Sequence, residues 1–171
     1  AGIATGARVL DLGCGTGVLV PHLLPRIGTR GWIVAVDNSR EMLRRAQEKG
    51  FSPCAALVQA DAQSLPFTAC SFDAVFCNAA LPHFPDRKAA IGEMARVLRP
   101  GGVLVISHPI GRNAVNRLHE STGGAVGEDR VPPAGRLCEW LKEGGMTDLR
   151  SVDEPEFYLV SGRRSDRRRA G

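Results

Sequence analysis

The chain has 171 residues, 43% of them hydrophobic and 23% charged, a composition typical of one globular domain with one buried core. Its formal net charge is +4, and the last nine residues contain five arginines: Arg163, Arg164, Arg167, Arg168 and Arg169. Without this cluster the chain is close to neutral, which excludes a basic face across the domain and predicts one domain over residues 1–162 followed by a basic tail over residues 163–171.

Short apolar runs alternate with helical patterns in the first third of the chain. Three runs are too short for helices and predict buried strands, over residues 8–12, 32–36 and 55–58. The helices predicted between them cover residues 18–27 and a segment that is capped by Asn38 or Ser39 and ends at Gly50.

The alternation continues in the rest of the chain. Strands are predicted over residues 72–77 and 103–106, and helices over residues 86–98 and 134–143. We expect a turn at Pro100-Gly101-Gly102, an irregular polar connection over residues 111–131, and an antiparallel hairpin of residues 148–152 and 156–160. Strands separated by helices predict an α/β fold with a doubly wound, mainly parallel sheet.

A glycine-rich turn directly follows the first predicted strand. Its glycines, Gly13, Gly15 and Gly17, have the spacing G-x-G-x-G, whereas the dinucleotide fingerprint needs its third glycine where this chain has Val18. Asp11 precedes the turn and would repel a pyrophosphate, but its charge suits an ammonium group. The turn therefore favours S-adenosylmethionine (SAM), which carries an ammonium and a sulfonium and no phosphate, over NAD.

Further polar residues follow the next three strands. Asp37 ends the second strand, where a carboxylate can accept the ribose hydroxyl hydrogens of either cofactor. Asp61 and Ala62 follow the third strand and can bind the amine and a ring nitrogen of adenine, and Asn78 ends the fourth. Because parallel strands end at the same edge of a sheet, these residues predict one ligand site.

With these motifs, the sequence resembles the class I SAM-dependent methyltransferases, specifically the small type 11 methyltransferase-domain group, which includes quinone-biosynthesis C-methyltransferases. Five segments carry the resemblance in order: VLDLGCGTG at 9–17, VDNSREML at 36–43, QADAQSLPF at 59–67, FDAVFCNAALPHFPD at 72–86 and RVLRPGGVLVIS at 96–107. The resemblance implies a Rossmann-like sheet of seven strands in the order 3-2-1-4-5-7-6, with strand 7 antiparallel.

The resemblance also implies residue roles. Asp11, Gly13 and Gly15 would hold the methionine part of SAM, Asp37 the ribose, and Asp61 with Ala62 the adenine edge. Met42 would pack on the adenine, and the backbone carbonyl of Asn78 would accept from the amino group. Cys14, Gly17 and Asn38 lie beside these residues in the sequence and complete the predicted cofactor site.

Methyl transfer is an in-line displacement in which the protein orients the acceptor and excludes water, and only weakly acidic acceptors need a general base. His83, His108 and His119 are the candidates for such a base. Asn78-Ala79-Ala80-Leu81 lacks the Pro-Pro-aromatic run of base amino-methyltransferases, which leaves a small-molecule acceptor by elimination. Two alternatives remain open: a nucleic-acid or protein methyltransferase that uses the arginine tail, and a non-catalytic SAM-binding subunit.

Only seven residues precede the first strand, where members of this group usually carry helices that cover the cofactor. We expect residues 111–131, with His83 and His108, to line the acceptor pocket as a lid more mobile than the sheet. Otherwise a lost N-terminal segment or a partner subunit, for example in a homodimer, would cover the site.

Localisation and metal content are predicted from what the sequence lacks. No apolar run approaches the roughly 20 residues that span a bilayer, and no signal-peptide pattern is present. The five cysteines (Cys14, Cys54, Cys70, Cys77 and Cys138) form no CxxC pair and no metal-ligand spacing, so we expect reduced thiols, no metal and a cytoplasmic protein.

Overall fold

Seven strands form a single sheet in a computed structural model of the chain, which describes residues 2–51, 53–122 and 129–166. The strands are β1 (Arg8–Leu12), β2 (Trp32–Asp37), β3 (Ala55–Gln59), β4 (Phe72–Asn78), β5 (Leu98–His108), β6 (Met146–Asp153) and β7 (Tyr158–Arg164). Their order is β3-β2-β1-β4-β5-β7-β6; the first five are parallel, and β7 is antiparallel to both of its neighbours. The order and the direction of strand 7 confirm the prediction.

Helices cover both faces of the sheet. They are α1 (Val20–Ile27), α2 (Arg40–Gln47), α3 (Arg87–Val97), α4 (Arg112–Thr122) and α5 (Ala134–Glu143), with a 3₁₀ turn at Leu81–His83. Val9 and Leu10 are adjacent in β1, point to opposite faces and are both fully buried. Val9 packs in a core with α1, whereas Leu10 packs in a larger core with α3 and α5. Burial on both faces explains why the central strands have nearly continuous apolar sequences.

Local side-chain chemistry sets the helix starts. The Ser39 hydroxyl accepts from the Met42 N–H at 3.3 Å, and the Asp86 carboxylate accepts from the Ala89 N–H at 2.9 Å. Ser39 rather than Asn38 is therefore the N-cap of α2, and that helix ends before the predicted stop at Gly50. Helix α1 begins two residues later than predicted, which places Pro21 in its first turn.

The prediction of an irregular connection over residues 111–131 is wrong for its first half. Arg112–Thr122 form helix α4, which buries Val115 and His119 at a helical spacing. The many polar residues that suggested a loop cover the exposed side of this helix. The expected lid therefore contains a helix, and residues 123–128 of that prediction lie outside the described residues.

Two predicted boundaries near β5 are also corrected. Leu98 pairs with Phe72 and Val103 pairs with Ala74, so Pro100-Gly101-Gly102 forms a bulge within β5 instead of a turn before it. Strand β7 extends through Arg163 and Arg164, which the sequence analysis assigned to the tail.

Both of these arginines bond to backbone carbonyls, Arg163 to one in β5 and Arg164 to one near the end of α3. Arg163 Nη1 donates to the Gly101 carbonyl at 2.9 Å and Arg164 Nη1 to the Arg96 carbonyl at 2.9 Å. Arg167, Arg168 and Arg169 lie outside the described residues. Within the described part of the chain, every helix is too short or too polar to cross a membrane.

Candidate cofactor and acceptor site

The glycine turn lies at the carboxyl edge of the sheet, where β1 ends beside β2. The N–H groups of Gly13 and Cys14 donate to the Val36 carbonyl at 2.8 and 3.0 Å, and the Gly17 N–H donates to the Cys14 carbonyl at 2.8 Å. These bonds fold the turn back against β2. Its backbone is therefore fixed by the sheet itself.

The three glycines of the turn have positive φ angles of 69°, 54° and 73°, but their surroundings differ. A Cβ at Gly13 would lie 2.3 Å from the Ala80 Cβ, and a Cβ at Gly17 would lie 2.5 Å from the Phe51 ring. A Cβ at Gly15 would meet no atom of the described chain within 4 Å. Gly13 and Gly17 are thus required by packing, whereas Gly15 borders open space that a ligand can occupy.

The Asp37 carboxylate links the glycine turn to helix α2. Its Oδ2 accepts from the Gly15 N–H at 2.8 Å and its Oδ1 from the Ser39 N–H at 2.9 Å. A carboxylate offers about four lone-pair positions, so two remain for the hydroxyls of a ribose. Asp37 therefore has a structural role as well as the capacity to bind the ribose.

Asp11 is a buried acid directly below the turn. Its side chain is only 1% exposed, and its Oδ2 has no hydrogen-bond partner among the described residues. Burial, together with the nearby charge of Asp37, raises the pKa of Asp11 to about 7. A cation placed against this oxygen would satisfy both its charge and its hydrogen-bonding capacity. The residues at the turn therefore fit a ligand with an ammonium group.

Cys14 belongs to the core next to the turn. Its side chain is 7% exposed and packs among the residues around α1, and burial raises the pKa of its thiol above the ordinary range. Its thiol also donates to the Gly15 carbonyl at 3.6 Å, so both its backbone and its side chain take part in the turn.

The residues predicted for the adenine end lie along the ends of β2 and β3. Asp61 is exposed, and the Gln63 N–H, 2.9 Å from its Oδ1, holds the pKa of Asp61 below its usual range. Ala62 is buried, Asn38 is exposed, and Met42 is half-buried on the first turn of α2. Sequence reasoning missed Gln63, which also accepts from the Asp86 N–H at 2.8 Å and so ties this segment to the start of α3.

A sharp turn follows Asn78 at the end of β4. Ala79 has a φ of 56°, a left-handed conformation that is rare for alanine, and its N–H donates to the Ser107 carbonyl at 2.8 Å. The Ser107 hydroxyl donates to the Asn78 side chain at 2.9 Å. These bonds direct the chain into Leu81–His83 immediately beside Gly13, which the Ala80 methyl group contacts.

The three histidines predicted as base candidates come together after β4 and β5. His83 and His119 have ring centroids 5.0 Å apart, and the charges of both act on His108. Burial is the largest cause that lowers the pKa of His108 to about 4, and its ring packs edge-on against Tyr158. His108 is therefore neutral at physiological pH, and these three rings form a side of the site that differs from the carboxylates around the glycine turn.

Asp129 is the residue at this side that the sequence did not reveal. Its Oδ2 lies 2.6 Å from His83 Nδ1, and its backbone carbonyl lies 2.7 Å from His119 Nδ1. Asn116 of α4 accepts from the Val131 N–H at 2.8 Å, which fastens the segment that carries Asp129 to the helix. Across the described ranges, no group of His, Cys, Asp and Glu residues has the arrangement needed to hold a metal ion.

Known structures share this fold. A SAM-dependent methyltransferase from Aquifex aeolicus superposes with a TM-score of 0.78 at 22% identity, over 95% of this chain and 85% of that chain. The YcgJ protein from Bacillus subtilis superposes with a TM-score of 0.77 at 20% identity, over 96% of this chain and 95% of that one. The sheet order and these similarities define the class I methyltransferase fold.

Sequence comparison identifies the family. The family model described as "Methyltransferase domain" matches residues 10–106, and the chain belongs to this family. A ubiquinone/menaquinone biosynthesis C-methyltransferase, UbiE, from Methylococcus capsulatus is 37% identical over 108 residues. A demethylmenaquinone methyltransferase from Staphylococcus aureus is 40% identical over 105 residues. Each alignment covers 61% of this chain and 44% of the relative, so the matched region is less than half of those proteins.

Proposed function

We propose that this chain binds SAM at the glycine turn and transfers its methyl group to a small-molecule acceptor. The observation that carries the proposal is the buried Oδ2 of Asp11, which has no partner among the described residues and belongs to the strand that leads into the glycine turn, where Gly15 borders open space. An uncompensated buried carboxylate is costly, and a cationic ligand would remove that cost. NAD brings a pyrophosphate, whose negative charge would increase it.

The proposed binding mode runs along the carboxyl edge of the sheet. Asp11 and the Asn78 carbonyl would accept from the ammonium group, Asp37 would accept from the ribose, and Asp61 with the Ala62 N–H would bind adenine. When bound, SAM supplies a methyl group on a sulfonium, which leaves as a neutral thioether. The chain's contribution is to hold acceptor and methyl in line and to keep water out.

The acceptor would enter on the histidine side, between the ends of β4 and β5 and helix α4. The relatives named for ubiquinone and menaquinone methylation suggest an acceptor with a quinol ring. On this side the His83 ring, whose side chain is 42% exposed, can contact such a ring, whereas His108 and Tyr158 are buried. The alternative of a nucleic-acid acceptor loses support because Arg163 and Arg164 bond to backbone carbonyls. We expect the protein to act in the cytoplasm.

Calorimetry followed by a transfer assay tests the proposal. We expect SAM to bind with micromolar-range affinity without competition from NAD, and radiolabelled methyl to pass from SAM to naphthoquinol, a soluble quinol with a free ring carbon. Asp11→Asn keeps the side-chain shape and removes the charge, so it should weaken SAM binding. Asp148→Asn makes the same change on the edge strand β6, four strands away from β1, and serves as the matched control. Binding of NAD without binding of SAM would refute the proposed function.

A further inference from the structure

The contact between His83 and Asp129 joins two elements that are far apart in the sequence. His83 ends the 3₁₀ turn after β4, and Asp129 lies between α4 and α5 in the sequence. We propose that His83 is the general base for methyl transfer and that Asp129 is its positioning residue. This inference rests on the proposed function and adds to it the class of acceptor: one whose nucleophilic atom is activated by loss of a hydroxyl proton.

The Asp129 carboxylate determines the tautomer of His83. A carboxylate only accepts, so at 2.6 Å the Nδ1 of the neutral ring carries the hydrogen and donates it to Asp129. The lone pair is then on Nε2, which makes no hydrogen bond within the described residues. The His83 side chain is 42% exposed, so an acceptor can reach the ring.

The other two histidines are less suited to this role. His119 is 8% exposed, and its Nδ1–H donates to the Asp129 carbonyl at 2.7 Å, which fixes the backbone of the residue that orients His83. His108 is 2% exposed and packs against Tyr158. Burial lowers the pKa of His108, so its ring accepts a proton poorly near neutral pH. His119 therefore acts as a second positioning residue, and His108 is part of the buried interior against Tyr158.

The turn that carries His83 is packed against the glycine turn. The Ala80 methyl group fills the space where a Cβ of Gly13 would lie, and the Phe84 ring is 3.5 Å from the same position. His83 lies between these two contacts in the sequence. An acceptor next to His83 is therefore close to the edge at which the proposed cofactor site lies, as a base and a methyl donor acting on the same molecule require.

The proposed step balances as follows. The acceptor's hydroxyl gives its proton to Nε2 of His83, and the O–H electron pair passes into the conjugated ring. The activated carbon or oxygen forms a bond to the methyl group while the carbon–sulfur bond breaks and leaves its electron pair on sulfur. At a ring carbon, the C–H proton is then lost and the oxygen regains one, so that one proton is released in total. The Asp129 carboxylate stabilises the imidazolium that forms.

Removal and chemical rescue of the imidazole provide the main test, with naphthoquinol as acceptor. We expect His83→Gly to lower kcat by about 100-fold or more while SAM affinity stays unchanged, and millimolar free imidazole to restore at least about a tenth of the rate. Asp129→Asn should lower kcat by about tenfold or more, with no rescue by imidazole. His22→Gln on α1 and Asp148→Asn are the matched controls and should retain full activity.

A second measurement does not depend on turnover. Nitrogen-15 NMR of the ligand-free protein, at a pH where the ring is neutral, should show His83 as the Nδ1–H tautomer, and Asp129→Ala should shift it towards Nε2–H.

If the wild type binds SAM but transfers no methyl to naphthoquinol or to simple phenols, the acceptor class is refuted. A wild type that transfers methyl while His83→Gly retains full kcat or is not rescued by imidazole would refute the base but leave the proposed function standing. An Nε2–H tautomer in the wild type would refute the role of Asp129.

Discussion

The two sides of the candidate site differ in chemistry and in how the chain assembles them. The cofactor side has carboxylates near the ends of three strands: Asp11 lies in β1, Asp37 ends β2 and Asp61 follows β3. The acceptor side has imidazoles in the turn after β4, at the end of β5 and on α4, and Asp129 contacts two of them, those of His83 and His119. Fixed negative charge suits a cationic cofactor that is the same in every turnover, whereas imidazoles suit proton transfer with a particular acceptor.

This comparison suggests that changes on the two sides should have separable effects. Substitutions around the glycine turn should alter SAM affinity and folding stability. Substitutions around His83 should alter turnover and leave SAM affinity intact.

The largest effect is expected from Asp11→Asn. The folded-state pKa of Asp11 is about 7, above the ordinary 3.8, so the folded protein retains a proton that the unfolded chain has released. The stabilisation of the folded protein by this retained proton is complete below pH 4 and is lost as the pH rises to 7. The loss in unfolding free energy is up to about 4 kcal/mol.

The asparagine variant should therefore be more stable than the wild type without ligand at mildly alkaline pH, and the difference should shrink towards acidic pH. Urea unfolding across this range measures the difference. SAM affinity should fall in the same variant, so that stability and binding change in opposite directions. A stability difference that is independent of pH would show that Asp11 is ionised at no cost in the folded state.

The next effect compares two glycines of one turn. In Gly13→Ala the new Cβ would overlap the Ala80 methyl group, which cannot move without the backbone, and we expect a loss of about 3 kcal/mol in unfolding free energy. In Gly15→Ala the new Cβ meets no described atom, so only the positive φ costs stability, about 1 kcal/mol.

Gly15→Ala should nevertheless weaken SAM binding, because its methyl group occupies the proposed ligand space. Thermal unfolding and calorimetry on the two variants separate the effects. Equal SAM affinity in Gly15→Ala and the wild type would place the ligand elsewhere.

A smaller effect is expected from Asp37→Ala. The variant loses the acceptor for the Gly15 and Ser39 N–H groups and the proposed acceptor for the ribose. We expect SAM binding to weaken by about 1–3 kcal/mol, with some loss of folding stability. Titration with SAM and with methionine alone measures the contribution of the ribose. An equal loss of affinity for both ligands would show that Asp37 does not bind the ribose.

The smallest effect belongs to the acceptor side. Asn116→Ala removes the acceptor for the Val131 N–H, and we expect a loss of about 1 kcal/mol in stability. Hydrogen exchange at residues 129–131 should become faster, and kcat should fall because Asp129 is held less firmly. SAM affinity should not change. Unaltered exchange at residues 129–131 would contradict the role of α4 in holding this segment.

The cofactor side was largely predictable from the sequence because its geometry is local. Asp11, the glycine turn and Asp37 lie within short segments whose strand and turn patterns are strong, and the parallel sheet brings their ends to one edge. The different demands on the glycines were not predictable. They depend on Ala80 and Phe51, which approach the turn only in the folded chain.

The acceptor side was predicted by residue type but not by its contacts. His83, His108 and His119 were identified as candidates, yet their meeting depends on α4, which the polar composition of residues 111–131 concealed. Asp129 carries no local signal, because its role arises from a contact with a residue distant in sequence. The extent of β7 was missed for a related reason: the arginines that suggested a tail bond to backbone carbonyls.

Calorimetric titration of S-adenosylhomocysteine, the demethylated cofactor, into the wild type, Asp11→Asn and His83→Gln tests the division between the two sides most directly. We predict micromolar-range binding to the wild type, an affinity reduced by about tenfold or more in Asp11→Asn, and an affinity within about twofold of the wild type in His83→Gln. Equal binding to the wild type and Asp11→Asn, or a loss of binding in His83→Gln alone, would contradict the account.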